Sequence, residues 1–127
     1  MSEKLIITIP MLPPSVNHYV EHKAQGVHVK SAQAKAWERD WPIWGRQRFI
    51  VGTKFQITLN FRFGPKQHFD VDNLNKCCLD CCARSGMIRD AKDKWLSDRH
   101  FKRMIVNIDD EHRELGPQTE IILEAME

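Results

Sequence analysis

From Lys54 to Phe63 the chain reads KFQITLNFRF, with Phe55, Ile57, Leu59, Phe61 and Phe63 on one face and Gln56, Thr58, Asn60 and Arg62 on the other. A period of two over this length fits a strand and not a helix, so a sheet has to form around it. Gly64-Pro65 ends the run. Three other segments are strand candidates. LIITI is β-branched and is stopped by Pro10; Arg99 to Asp109 alternates apolar and polar residues; Thr119 to Ala125 follows the Gly116-Pro117 turn. Between the strands, PMLPPSVNHY is an ordered extended loop presenting Asn17, His18 and Tyr19, because its prolines forbid a helix. His22 to Val29 reads as a polar ribbon or loop. Ser31 is the expected N-cap of a helix through AQAKAWERDW, ended or kinked by Pro42, with a second helical piece through WGRQRF to Phe49. KDKWLSDR, residues 92–99, is expected to be a turn or short helix. The order β, α, β, α, β, β predicts one small α+β domain over residues 1–127 with a mixed sheet and helices.

The chemistry is concentrated in FDVDNLNKCCLDCCARSGMIRD, Phe69 to Asp90, which gathers Asp70, Asp72, Asn73, Lys76, Asp80 and Asp90. If His68 to Asp72 is extended, Asp70 and Asp72 leave the backbone on the same side. From Asp72 the period becomes helical, with Leu74, Cys77, Cys78, Cys81 and Cys82 on one arc and Asp72, Lys76 and Asp80 on another. Asp72 suits the N-cap and Gly86 the C′ position, after which Met87-Ile88 delivers Asp90. Two carboxylates on one side stay ionised cheaply only with a cation or donor between them. Three hard carboxylates suit Mg²⁺ or Mn²⁺, with Lys76 as a charge partner beside a phosphoryl oxygen. The plain alternative is that the aspartates cap a helix whose solvated face carries Lys76 and Asp80.

At 127 residues and 14.9 kDa, with 42% hydrophobic and 28% charged residues, the chain has an ordinary globular composition. No apolar run reaches the roughly 18–20 residues of a membrane span, and the N-terminus lacks a signal-peptide profile, so a cytoplasmic location without membrane contact is expected. Four cysteines crowded on one helix cannot close a tetrahedral site unaided, and reduced thiols packed in a core are the expectation. Trp37, Trp41, Trp44 and Trp95 read as core or dimer anchors. His18, His28, His68 and His100 read as surface or satisfied core residues rather than bases.

Net charge is only +2, but it is segregated. Seven Lys or Arg lie between His22 and Lys54 and seven more between Arg84 and Arg103, whereas the tail from Asn107 holds seven acids and only Arg113. Basic segments beside a carboxylate cluster suit a polyanionic substrate; solvated faces are the alternative.

Three stretches together resemble the RusA-type Holliday junction resolvases: PPSVNHYV, GVHVKSAQAKAW and the acidic segment, whose D-x-D-N-L-x-K is followed by an apolar helix and a glycine-hydrophobic-hydrophobic-x-D ending. They cover the chain to about residue 95. The resemblance implies an α+β homodimer that binds four-way junction DNA and makes paired nicks with Mg²⁺ or Mn²⁺ in recombination and repair. Position by position, it implies metal ligation by Asp70 and Asp72, catalysis by Lys76 and a motif role for Asn73. The family has two adjacent aspartates at the end of the motif, the second a metal ligand, where this chain has Asp90-Ala91. Asp90 is the expected third ligand, needing the smallest backbone change, with Asp93 as the other candidate. Asn17, Lys30, Lys35, Lys66, Asn73 and Lys94 are the expected DNA contacts. The competing expectation is a junction-binding protein weakened or silenced by Ala91.

Overall fold

The computed structural model describes residues 4–14, 20–22, 28–30, 35–37, 39–41, 48–65 and 72–126. Eight strands are described: β1 (Lys4–Ile9), β2 (Val20–His22), β3 (His28–Lys30), β4 (Ile50–Val51), β5 (Phe55–Arg62), β6 (Ile88–Arg89), β7 (Phe101–Asp109) and β8 (Gln118–Ala125). Helix α1 contains residues 35–37 and 39–41, and helix α2 spans Asp72–Arg84. Short 3-10 turns occupy Asp98–His100 and Arg113–Leu115.

The main sheet has the order β1-β8-β5-β7. The strand with the strict alternation, β5, is central: it pairs antiparallel with β8 (Leu59 opposite Ile121) and parallel with β7 (Leu59 opposite Val106). Strand β1 completes the sheet antiparallel to β8, Ile7 opposite Ile121. On one face Leu5, Ile7, Ile9, Phe55, Ile57, Leu59, Phe61, Ile121 and Leu123 are buried, each contributing about 1.5–3 kcal/mol through removal from water. Helix α2 covers this face with Leu74, Cys78 and Cys82, spaced four residues apart, and α1 adds Trp37 and Trp41. The opposite face is mixed: Ile6, Ile122, Thr58 and Ile105 cross it in one row, and polar side chains form another. Asn107 donates to Asn60, and Asn60 donates to Glu120, both at 2.8 Å, forming a ladder across three strands.

These features establish a small single-domain α+β architecture with a mixed four-stranded sheet. Two smaller sheets accompany it. The polar stretch after Tyr19 forms an antiparallel ribbon, β2 with β3, and β4 pairs parallel with β6. No helix among the described residues is long and apolar enough to cross a membrane.

Several boundaries differ from the sequence reading. Arg48 and Phe49 are not helical and lead directly into β4. Arg99 belongs to a 3-10 turn, so β7 starts at Phe101, and a register shift between Phe55 and Gln56 breaks the simple alternation at its start. Residues 92–99 agree with the expected turn or short helix: a hairpin turn is followed by that 3-10 turn, with Arg89 bridged antiparallel to Trp95. Trp95 is 55% exposed, so it is not a core residue, whereas Trp37 and Trp41 are buried. Trp44, Pro42 and the Ser31 cap lie outside the described residues.

Candidate functional site

Helix α2 starts at Asp72, which places this aspartate and Asn73 in the first helical turn rather than at the preceding cap. Lys76, one turn on, is exposed, while Leu74 and Asn75 are buried. The C-terminal half of α2 is fixed by α1. Trp37 Nε1 donates to Cys81 Sγ at 3.2 Å, and Trp41 Nε1 donates to Ser85 Oγ at 3.0 Å. The Ser85 hydroxyl in turn donates to the Cys81 carbonyl at 2.5 Å.

The helix stops as its glycine predicts. Gly86 has φ +69, its N–H bonds the Ala83 carbonyl at 3.2 Å, and the Met87 N–H bonds the Cys82 carbonyl at 3.1 Å. This pair of bonds is a Schellman cap, which needs a left-handed residue at its turn. The chain then enters β6, held to β4 by Ile50 N–H to the Met87 carbonyl and Gly52 N–H to the Arg89 carbonyl, both 2.9 Å.

Asp90 begins the next turn. Its N–H bonds the Lys94 carbonyl at 3.0 Å, its carbonyl accepts the Asp93 N–H at 3.1 Å, and Asp93 has φ +65. A type I turn followed by one left-handed residue is a standard three-residue hairpin loop, with aspartate favoured at the first turn position. Asp90 Oδ1 accepts the amides of Lys92 and Lys94, each at 2.9 Å. The Lys94 amide most of all holds the Asp90 carboxyl below its usual range; desolvation opposes it, and the Lys92 amide and the two ammonium charges add to the lowering. Asp90 is therefore an ionised carboxylate with one oxygen committed to its own turn.

Asp93, the other third-ligand candidate, instead pairs with Arg89 Nη1 at 2.9 Å. Arg89 also donates from Nε to the Gly86 carbonyl at 2.7 Å. Its guanidinium lies 4.0 Å from the centre of the Phe49 ring and 5.4 Å from that of Trp95. This Phe49–Arg89–Trp95 stack is absent from the sequence reading, because no local spacing links residues 49 and 89; the pairing of β4 with β6 brings them together.

The cysteines pack. Cys78 and Cys82 are fully buried, Cys77 and Cys81 are half-buried, and none forms a disulfide. The hydrogen bond with Cys81 first and then burial push the Cys77 thiol well up; burial does the same for Cys78 and Cys82. Burial of this kind disfavours the thiolate form. Asn75 went unremarked in the sequence, yet its Oδ1 is buried with no hydrogen-bond partner among the described residues.

Of the other predicted site residues, Lys35 and Lys94 are exposed, on α1 and on the hairpin. Lys30 lies in β3. Asp70, Asn17 and Lys66 lie outside the described residues. Among the described residues, no group of three or more His, Cys, Asp or Glu side chains is placed to hold a metal ion. Comparison with protein-family models and with curated proteins finds no match for this chain.

Proposed function

We propose that this chain is a RusA-like, divalent-metal-dependent endodeoxyribonuclease of the cytoplasm that resolves four-way DNA junctions by paired nicks, acting as a homodimer. The observation that carries the reading is the course of the motif through α2. The helix begins at Asp72, leaves Lys76 exposed one turn on, and ends in a glycine cap that leads to an ionised Asp90. The donor set suits a hard cation, since Asp90 keeps one carboxylate oxygen uncommitted to the turn and Asp70 and Asp72 offer only carboxylate oxygens. Asp70, Asp72 and Asp90 would hold Mg²⁺ or Mn²⁺. When bound, the ion supplies an activated water and neutralises charge at the scissile phosphate. Lys76 meets the developing phosphoryl charge with its ammonium, and Asn73 positions the strand. Lys35 and Lys94, together with Lys30, Lys66 and Asn17, track the junction backbone, where lysines neutralise phosphates without reading sequence.

A second reading, a junction-binding protein without catalysis, has its own support. Ala91 stands where the family has its second aspartate, and Asp90 Oδ1 is engaged in the turn. Cleavage of an immobile four-way junction over a range of Mg²⁺ and Mn²⁺ concentrations, with linear duplex as control, separates the two. The parent should make paired nicks. Asp72→Asn should bind the junction and cut nothing, because it removes charge beside DNA without removing bulk. Asp90→Asn keeps an oxygen acceptor for the Lys92 and Lys94 amides, so its hairpin should persist while cutting is lost. Cutting by Asp72→Asn at the parent rate refutes the nuclease site. Tight binding with no nicks in the parent, and nicks gained by Ala91→Asp, establishes the second reading.

A further inference from the structure

Strand β7 is the edge of the main sheet, paired on one side with β5 and unpaired on the other among the described residues. Its register puts Met104, Val106 and Ile108 on the same face as Ile57, Leu59 and Phe61. The three β5 residues are at most 1% exposed, whereas Met104 is 46% and Ile108 39% exposed. The apolar row therefore continues past the cover that α2 provides. Edge strands are usually protected by shortness, proline or charges on the apolar face. β7 is nine residues long, contains no proline, and has no charge among Met104, Val106 and Ile108. The opposite edge differs: β1 has six residues, is closed by Pro10, and buries Leu5, Ile7 and Ile9.

β7 is also complementary to itself. A two-fold axis perpendicular to a sheet keeps both faces in place, so antiparallel self-pairing must centre on a residue. Centring on Val106 sets Met104 opposite Ile108 and Arg103 opposite Asp109. Moving the centre to Ile105 or Asn107 sets Arg103 opposite Asn107, or Ile105 opposite Asp109, and loses both matches. Asp109 is held at the strand end by the His112 ring at 3.0 Å and remains partly exposed.

We propose that a second copy of this chain pairs with β7 antiparallel, Val106 opposite Val106, joining two four-stranded sheets into one of eight strands. This gives the dimer of the proposed function its surface. It is argued from β7 alone, so a chain that dimerises this way and cuts no DNA ends the nuclease reading and leaves this one standing.

The test is sedimentation of the full chain without DNA. The parent should be a dimer. Met104→Lys with Ile108→Lys places like charges opposite each other and should be monomeric, with parent-like circular dichroism. Met104→Lys with Ile108→Glu places opposite charges at the same exposed sites and should stay dimeric. Independently, Val106→Cys should form a covalent dimer on oxidation beyond any seen for the parent, because directly opposed residues lie within disulfide reach. Met104→Cys should not, since its two copies would be about 13 Å apart along the strands. A monomeric parent, a dimeric Lys/Lys variant, a monomeric Lys/Glu variant, or linking of Met104→Cys as readily as Val106→Cys would each overturn the proposal.

Discussion

Replacing Gly86 by alanine should destabilise the protein through two separable effects. The first is backbone strain: Gly86 sits at φ +69, and an L-residue in the left-handed region costs about 1 kcal/mol or slightly more. The second is steric. A Cβ at Gly86 would overlap Trp95 Cε2 and lie 2.6 Å from its Cδ2, so the indole has to move away. Trp95 is 55% exposed and can swing outward, but it then gives up its cover over the glycine and its place against the Arg89 guanidinium. An exposed cation–π contact is worth about 0.5–1 kcal/mol, and the lost packing adds a similar amount. The total is about 2–3 kcal/mol, which for a domain of this size lowers Tm by about 8–12 °C. Urea denaturation followed by circular dichroism on Gly86→Ala, Trp95→Ala and the double variant resolves the parts. With the indole gone, Gly86→Ala should cost only the backbone share, leaving a coupling of about 1–2 kcal/mol. Equal costs with and without Trp95 would refute the contact. A total below about 0.5 kcal/mol would refute the left-handed cap itself.

The Asn75 Oδ1 gives a prediction of opposite sign: Asn75→Leu should raise stability by about 1 kcal/mol, because a buried acceptor without a donor among the described residues is removed. A loss of that size in thermal unfolding would instead reveal that the amide is used. The His112–Asp109 pair makes stability depend on pH. The hydrogen bond to Asp109 first, and then the charge of Asp109, raises the His112 pKa above its ordinary 6.5. The folded state therefore favours the proton, so the contribution is complete below 6.5 and disappears as pH rises through the raised value. The urea midpoint of the parent should fall across that window and that of His112→Ala should not; parallel profiles would remove the pair from the account.

By itself the sequence determined the pieces whose signals are local. The alternation of KFQITLNFRF marks both the strand and its buried face, since Phe55, Ile57, Leu59 and Phe61 are all within 1% of full burial. The switch to a helical period at Asp72 and the glycine at position 86 bracket α2 to within a residue or two, because a Schellman cap is a local device that needs one particular residue. Other features depended on the tertiary structure. Periodicity says which side of a strand is apolar but not which strand lies beside it, so the insertion of β5 between β7 and β8 was not legible. Nor was the register shift at Phe55/Gln56, which sets Met104, Val106 and Ile108 on the apolar face. The sequence could offer Asp90 as a metal ligand, but only the folded hairpin showed one of its oxygens bound to the Lys92 and Lys94 amides. Arg89 found Phe49 through the β4–β6 pairing, across forty residues of chain. Contacts between distant segments are selected by the joint burial of whole faces, and no local window of sequence contains that information.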